Sequence, residues 1–228
     1  MAEKKQRRVL FVTPAGEAVW PYVNSPDDQP INGNSQTPAF KCRLRLDDDD
    51  DSPVVANGKK TDESLKELLD RQVDEAWDTL TTDMTPKQVK KFEKEYPYEI
   101  EEDDNDEPTG KILFNFKQNA TIKVKGQERK VTIGIYDAKR NKITDMVGGG
   151  STLKIRFTVR PYAMASTNKI GIRLDFNAVQ VLNLVGFGGG NSDGFEDEDG
   201  YEGSHDDDAS VDAPADTGGD DGDDDDEF

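Results

Sequence analysis

Charge is segregated so sharply along this chain that it decides which part can fold. Of the 48 acidic residues, 18 lie in residues 191–228, a segment without Lys or Arg, and no basic residue follows Arg173. Residues 1–190 keep 30 acids against 29 bases, so the formal net charge of -19 belongs almost wholly to the C-terminal segment. Like charges with few apolar groups among them do not offset the entropy of ordering, which predicts a folded domain over 1–190 and a disordered acidic tail over 191–228. Residues 186–190, Gly-Phe-Gly-Gly-Gly, read as the hinge. The tail ends Asp223, Asp224, Asp225, Asp226, Glu227, Phe228. A tail that only confers solubility has no use for a terminal aromatic, so this tip reads as a partner-binding element.

The body shows the two-residue period of half-buried strands. Phe40, Cys42, Leu44 and Leu46 alternate with Lys41, Arg43 and Arg45, and residues 7–13 form a shorter run that ends at Pro14. From Lys111 the pattern recurs through Phe187: Ile112, Phe114 and Phe116, then Ile122 and Val124, then Val131, Ile133 and Ile135. Leu153, Ile155, Phe157 and Val159 face inward opposite Lys154, Arg156, Thr158 and Arg160, and Ile170, Ile172, Leu174 and Phe176 repeat the theme. Hairpin turns are expected at Gly126-Gln127 and at residues 139–142. Residues 61–83 change to a helical period, with Leu65, Leu68, Leu69, Val73, Ala76, Trp77 and Leu80 on one face and Thr61 as N-cap. A second helix is expected from Thr85-Pro86 to Pro97, which makes 61–96 a helical cap. Between the strands, Trp20, Pro21 and Tyr22 read as a loop whose aromatics plug the core, with ligand stacking as the alternative, and residues 99–107 read as a solvated acidic loop. The sum is a mainly β protein, an antiparallel barrel with a helical cap.

Catalytic chemistry finds little to work with. The only histidine, His205, sits in the acidic tail, and the only cysteine, Cys42, alternates with core residues and reads as a buried thiol. The aspartate run 47–51 lacks the Gly and Glu that a helix-loop-helix calcium site needs at its sixth and twelfth positions, where Ser52 and Gly58 stand. Gly148-Gly149-Gly150-Ser151-Thr152 lacks the Gly-Lys of a phosphate-binding loop and precedes a strand. No enzyme activity, metal or cofactor is therefore expected. No apolar run approaches a membrane span and no signal core follows Lys4, Lys5, Arg7 and Arg8, which predicts a cytoplasmic protein.

Between Lys111 and Gly190 stand 14 basic and 4 acidic residues, a local charge of +10 in a chain of net -19. Strand parity puts Lys154, Arg156, Arg160 and Tyr162 on one outer face. Cations that track phosphates beside an aromatic on which a base stacks are the parts of a single-strand binder. A solvated basic face with Tyr162 covering the rim is the other reading, and an acidic-tailed chaperone or DNA mimic that binds basic proteins is the alternative for the whole chain.

Four segments carry a family resemblance: Val147-Gly-Gly-Gly-Ser-Thr-Leu-Lys-Ile-Arg-Phe157, Val159-Arg-Pro-Tyr162, Phe187-Gly-Gly-Gly190 and the ending Asp226-Glu227-Phe228. In this order the chain resembles the single-stranded DNA-binding proteins of podoviruses, closely in its second half and weakly in its first. The resemblance implies an oligonucleotide-binding (OB) barrel capped by a helix, a homodimer, coating and annealing of single strands in replication, recombination and repair, and work in the cytoplasm of an infected bacterial host. It also implies that the tail contacts the phage DNA polymerase and helicase-primase. Tyr162 matches the family's base-stacking tyrosine, Arg156 a lysine on the binding strand, Lys117 a basic residue on the neighbouring strand and Phe228 the terminal aromatic. With Lys154, Arg160 and Arg173 these form the expected DNA-binding set. Asn119 stands where the family has a second tyrosine, and residues 99–107 are more acidic than their counterpart.

Overall fold

The computed structural model of the chain describes residues 8–30, 35–124 and 126–186; the acidic segment 191–228, its tip 223–228 and most of the expected hinge lie outside the described residues. In chain order the elements are β1 (Phe11–Val12), β2 (Gly16–Asp27), β3 (Ala39–Asp47), β4 (Val55–Ala56), β5 (Lys59–Lys60), α1 (Leu65–Thr81), α2 (Pro86–Val89), β6 (Glu93–Glu95), β7 (Tyr98–Glu102), β8 (Pro108–Asn119), β9 (Thr121–Val124), β10 (Gln127–Lys130), β11 (Gly134–Tyr136), β12 (Thr152–Met164) and β13 (Lys169–Asn183). The protein is mostly β with few helices.

The long strands pair in a circuit: β2 with β3, β3 with β8, β8 with β13, β13 with β12, and β12 with β2. Two links are thin, a single pair Leu174–Phe116 between β13 and β8, and Thr152–Glu17 with Leu153–Gly16 between β12 and β2. The expected purely antiparallel arrangement is corrected here, because β13 runs parallel to β8, β6 and β11. A circuit with an odd number of strands cannot alternate direction all the way round, so one neighbouring pair must run parallel.

Period-2 burial holds along β3 and the inward faces of β12 and β13. Phe40, Cys42, Leu44 and Leu46 of β3, Leu153, Ile155 and Phe157 of β12, and Ile170, Ile172, Leu174 and Phe176 of β13 are all buried. Phe157 joins the layers, with its ring centroid 5.5 Å from Phe11 and 5.2 Å from Phe116 in an edge-on contact. Helix α1 lies against β12 and β13 and adds Leu65, Leu68, Leu69, Val73 and Ala76 to the same core. Each such Leu or Val side chain contributes about 1.5–3 kcal/mol relative to leaving it in water. Cys42 is a core thiol as expected, and burial pushes it up to about 12.

Several boundaries differ from the sequence reading. Ser64, not Thr61, caps α1: its hydroxyl accepts from Glu67 N while the Glu67 carboxylate accepts from Ser64 N, and Thr61 instead donates to the Val54 carbonyl at 2.8 Å. The second helix stops at Val89, because residues 93–95 extend to pair with β13 as β6, so the cap does not run to residue 96 as helix. The Trp20 region is not a loop but the middle of β2. A register shift between Val19 and Tyr22 absorbs Pro21 and the left-handed backbone of Trp20, φ 50°, and Trp20 stands 78% exposed instead of plugging the core.

The acidic stretch from residue 99 is likewise structural. Its first part is strand β7 on β8, where Glu99 pairs with Arg43 at 2.8 Å and Glu101 with Arg45 at 2.5 Å. The outer face of β3 is therefore largely neutralised. The hairpin β9–β10 turns at Gly126 as expected but forms a separate two-stranded sheet that leaves Ile122 exposed.

Candidate nucleic-acid interface

The long hairpin β12–β13 sets the geometry of the basic face. Its register places Arg160 directly opposite Arg173 and Tyr162 opposite Gly171. Two like charges facing each other across strands repel. Asp175, only 8% exposed, removes the conflict: Arg160 Nε donates to its Oδ2 at 2.9 Å and Arg173 Nε to its Oδ1 at 2.7 Å. One buried carboxylate thus fixes two guanidinium groups and leaves the trio with a net positive charge. Asn119 of β8 adds a third tether, accepting from Arg173 Nη2 at 3.2 Å. Asn119 thus acts as a positioning amide for Arg173.

These arginines line a cleft of about 690 Å³ bordered by Glu95, Tyr96, Pro97, Asn115, Lys117 and the residues around Tyr162 and Ile172. The cleft gathers four expected residues: Tyr162, Arg160, Arg173 and Lys117. Lys117 is exposed and sits in register opposite Lys41, which in turn faces Tyr22 on β2, so Tyr22, Lys41 and Lys117 form a row on one face of three strands. Lys41 is bound to Asp27 at 2.7 Å, whereas Lys117 makes no ion pair among the described residues. Although the side chain is open to solvent, partial desolvation by the cleft walls, and after it the charges of Lys41 and Arg173, hold the Lys117 ammonium below the usual lysine value of 10.5. A phosphate placed there would relieve that repulsion.

The cleft also holds an acid. The Tyr162 hydroxyl donates to Glu95 Oε2, and burial followed by this contact pushes the phenol up, so it stays neutral. Glu95 arrives on β6, a short edge strand tied to α1 through Lys94, which pairs with Asp74 at 2.6 Å and stands 5.8 Å from the Trp77 ring centroid. Gly171 allows the approach, since a Cβ there would come within 2.4 Å of the Glu95 carbonyl oxygen.

Lys154 and Arg156 share the outer face of β12 but do not reach this cleft; they line a separate hollow beyond it. Arg156 Nε donates to Asn177 Oδ1 at 2.7 Å, and Asn177 is the extra residue where the β12–β13 register shifts. The tail residues Asp223, Asp224, Asp225, Asp226, Glu227 and Phe228 lie outside the described residues.

Asp175, Glu95 and Lys41 were outside the residue set expected from the sequence, and Tyr22 entered it only through the stacking alternative. Asp175 had a usable signal, because Arg173 and Asp175 share strand parity and an outward acid in a basic row invites pairing. Glu95 had none, since it was assigned to a helix.

A family model described as single-stranded DNA-binding protein, bacteriophage T7, matches residues 16–184, and the chain belongs to that family of phage proteins. The single-stranded DNA-binding protein of Enterobacteria phage T3 is 30% identical over 118 residues, 50% of this chain and 51% of the relative. That of Escherichia phage T7 is 30% identical over 114 residues, 47% of this chain and 49% of the relative. The chain thus matches about half the length of these curated relatives. The fold is similar to the crystal structure of gp2.5, a single-stranded DNA-binding protein encoded by bacteriophage T7, with a TM-score of 0.61 and 21% identity, covering 87% of this chain and all of that one.

Proposed function

We propose that this protein binds single-stranded DNA with little sequence preference, through the cleft around Tyr162. The observation that carries the reading is the cleft itself: an aromatic ring flanked by Arg160, Arg173 and Lys117, with both guanidinium groups held by Asp175. A base stacks on the ring while the cations meet the adjoining phosphates, a mode that ignores base identity. The strand circuit supports assignment as an oligonucleotide-binding (OB) barrel capped by α1, and membership of the phage family supports the ligand.

In the phage cycle the protein coats exposed strands during replication, recombination and repair, and promotes annealing, in the cytoplasm of the infected bacterium. Among the described residues no helix is long and apolar enough to cross a membrane. It acts as a homodimer and without catalysis; magnesium-dependent cleavage of an oligonucleotide would overturn the latter. Residues 1–190 form the binding domain, and the acidic tail 191–228 recruits the DNA polymerase and helicase-primase through Phe228. The tail also competes with DNA for the basic face, so its removal tightens DNA binding at low salt and abolishes co-purification with the polymerase.

Titration of a labelled oligo-dT by anisotropy over a range of salt tests the binding itself. For an oligonucleotide short enough to occupy this cleft alone, three phosphate contacts predict that log K falls with log salt with a slope of about -2, from roughly 0.7 per contact on a single strand. Absence of binding, or binding indifferent to salt, would contradict the proposal and favour the chaperone or DNA-mimic alternative.

A further inference from the structure

The hollow that holds Lys154 and Arg156 has the chemistry of a second nucleotide site. Its volume is about 320 Å³ and its lining is Val12, Tyr136, Arg140, Lys154, Arg156, Ala178, Val179 and Gln180, one aromatic and three cations without an acid. Neither Tyr136 nor Arg140 belongs to the residue set expected from the sequence. Both are held in place. Strand β11 runs parallel to β13 with Tyr136 in register with Gln180, and the ring lies back over Gly134, where a Cβ would come within 2.8 Å of it. The turn that follows is fastened by Asp137, whose carboxylate accepts from Asn141 N at 2.7 Å and Nδ2 at 2.8 Å, and by Gln180 Nε2, which donates to the Ala138 carbonyl at 3.0 Å. That turn gives Arg140 a left-handed backbone, φ 70°, and an exposed position at the rim. The Asp137 carboxylate is turned into the turn by these bonds, which keep it ionised, and it does not line the hollow.

We propose that this hollow is a second nucleotide subsite, with Tyr136 as base platform and Arg140, Lys154 and Arg156 as phosphate contacts. The inference rests on the single-strand reading above and extends it. The outward row Lys154, Arg156, Thr158, Arg160, Tyr162 on β12 connects the two clefts, because the extra residue at the register shift lies on β13 and leaves β12 parity intact. From Lys154 to Tyr162 the strand advances about 27 Å. At the roughly 3.4 Å per nucleotide of a stacked strand, that path takes about 8 nucleotides, within the lower half of the 4 to 16 that one such fold covers. Long strands should therefore use both clefts, and short ones only one.

The test compares dT oligonucleotides of about 3 residues, too short to span both clefts, and about 16 residues on the full chain and on Tyr136→Ala, Tyr136→Phe and Arg140→Asn; Asn is chosen because it tolerates the left-handed backbone. Tyr136→Ala should leave the short oligonucleotide unchanged and weaken the long one about 10-fold, with recovery in Tyr136→Phe. Arg140→Asn should lower the salt slope for the long oligonucleotide by about 0.7. Long-strand affinity and slope equal to wild type in both Tyr136→Ala and Arg140→Asn would overturn the subsite while leaving the first cleft standing. Wild type that bound neither length would instead sink the single-strand reading. Should Tyr136→Ala fail to fold, Arg140→Asn alone decides, since its side chain lies in an exposed turn.

Discussion

Lys117 is where local electrostatics meets ligand binding. Its ammonium titrates below the ordinary 10.5 because partial desolvation by the cleft walls and two neighbouring cations disfavour the charge. The charge is then lost at a lower pH than on a free lysine, and phosphate attraction is lost with it. DNA affinity should fall as pH rises through that lowered value, and Lys117→Arg, which stays charged, should remove this early fall; titrations across alkaline pH check it. Glu95 acts in the opposite sense, as an acid at the mouth of a cationic cleft. Glu95→Gln keeps an acceptor for the Tyr162 hydroxyl but removes the repulsion, so affinity should rise roughly 2- to 5-fold at low salt. Unchanged affinity would place the phosphates away from the Tyr162 end. Asp175→Asn frees two opposed arginines and should lower stability by about 1–3 kcal/mol, read from the urea midpoint at constant slope.

At the scale of elements, what could be read from sequence tracks how each strand is held. β3, β12 and β13 face a core on one side and water on the other, so alternation of apolar and basic residues announced them. β2 was hidden because Trp20-Pro21 breaks the period, and only pairing with β3 carries the strand across the shift. β6 and β7 were hidden for a different reason. They are edge strands rich in Glu, held by Lys169, Arg43 and Arg45 on their neighbours rather than by burial, and a single sequence does not show such ion pairs. For β6 the dependence on Gly171 gives a test. Gly171→Ala should push the strand off β13, seen as faster hydrogen exchange at residues 93–95 with little change at the β12–β13 pairing. The cleft showed the same split: Tyr162 and Arg160 followed from parity and Lys117 from the family resemblance, whereas the Asp175 clamp required knowing that Arg160 faces Arg173.

For the molecule as a whole, the charge map divides into three parts. The β3 face is neutralised by β7, the β12 row keeps its cations, and the acid surplus is collected in the last 38 residues, which carry 18 acids. A protein of net -19 therefore offers a localised cationic track rather than a generally basic surface. The account stands on the claim that a single strand lies in the cleft at Tyr162. Oligo-dT affinity of Tyr162→Ala, beside Tyr162→Phe and with thermal unfolding as the control for folding, tests that claim most directly. Loss of one stacking platform predicts a drop of about 10-fold in Tyr162→Ala and near wild-type affinity in Tyr162→Phe. Wild-type affinity in a folded Tyr162→Ala would contradict it.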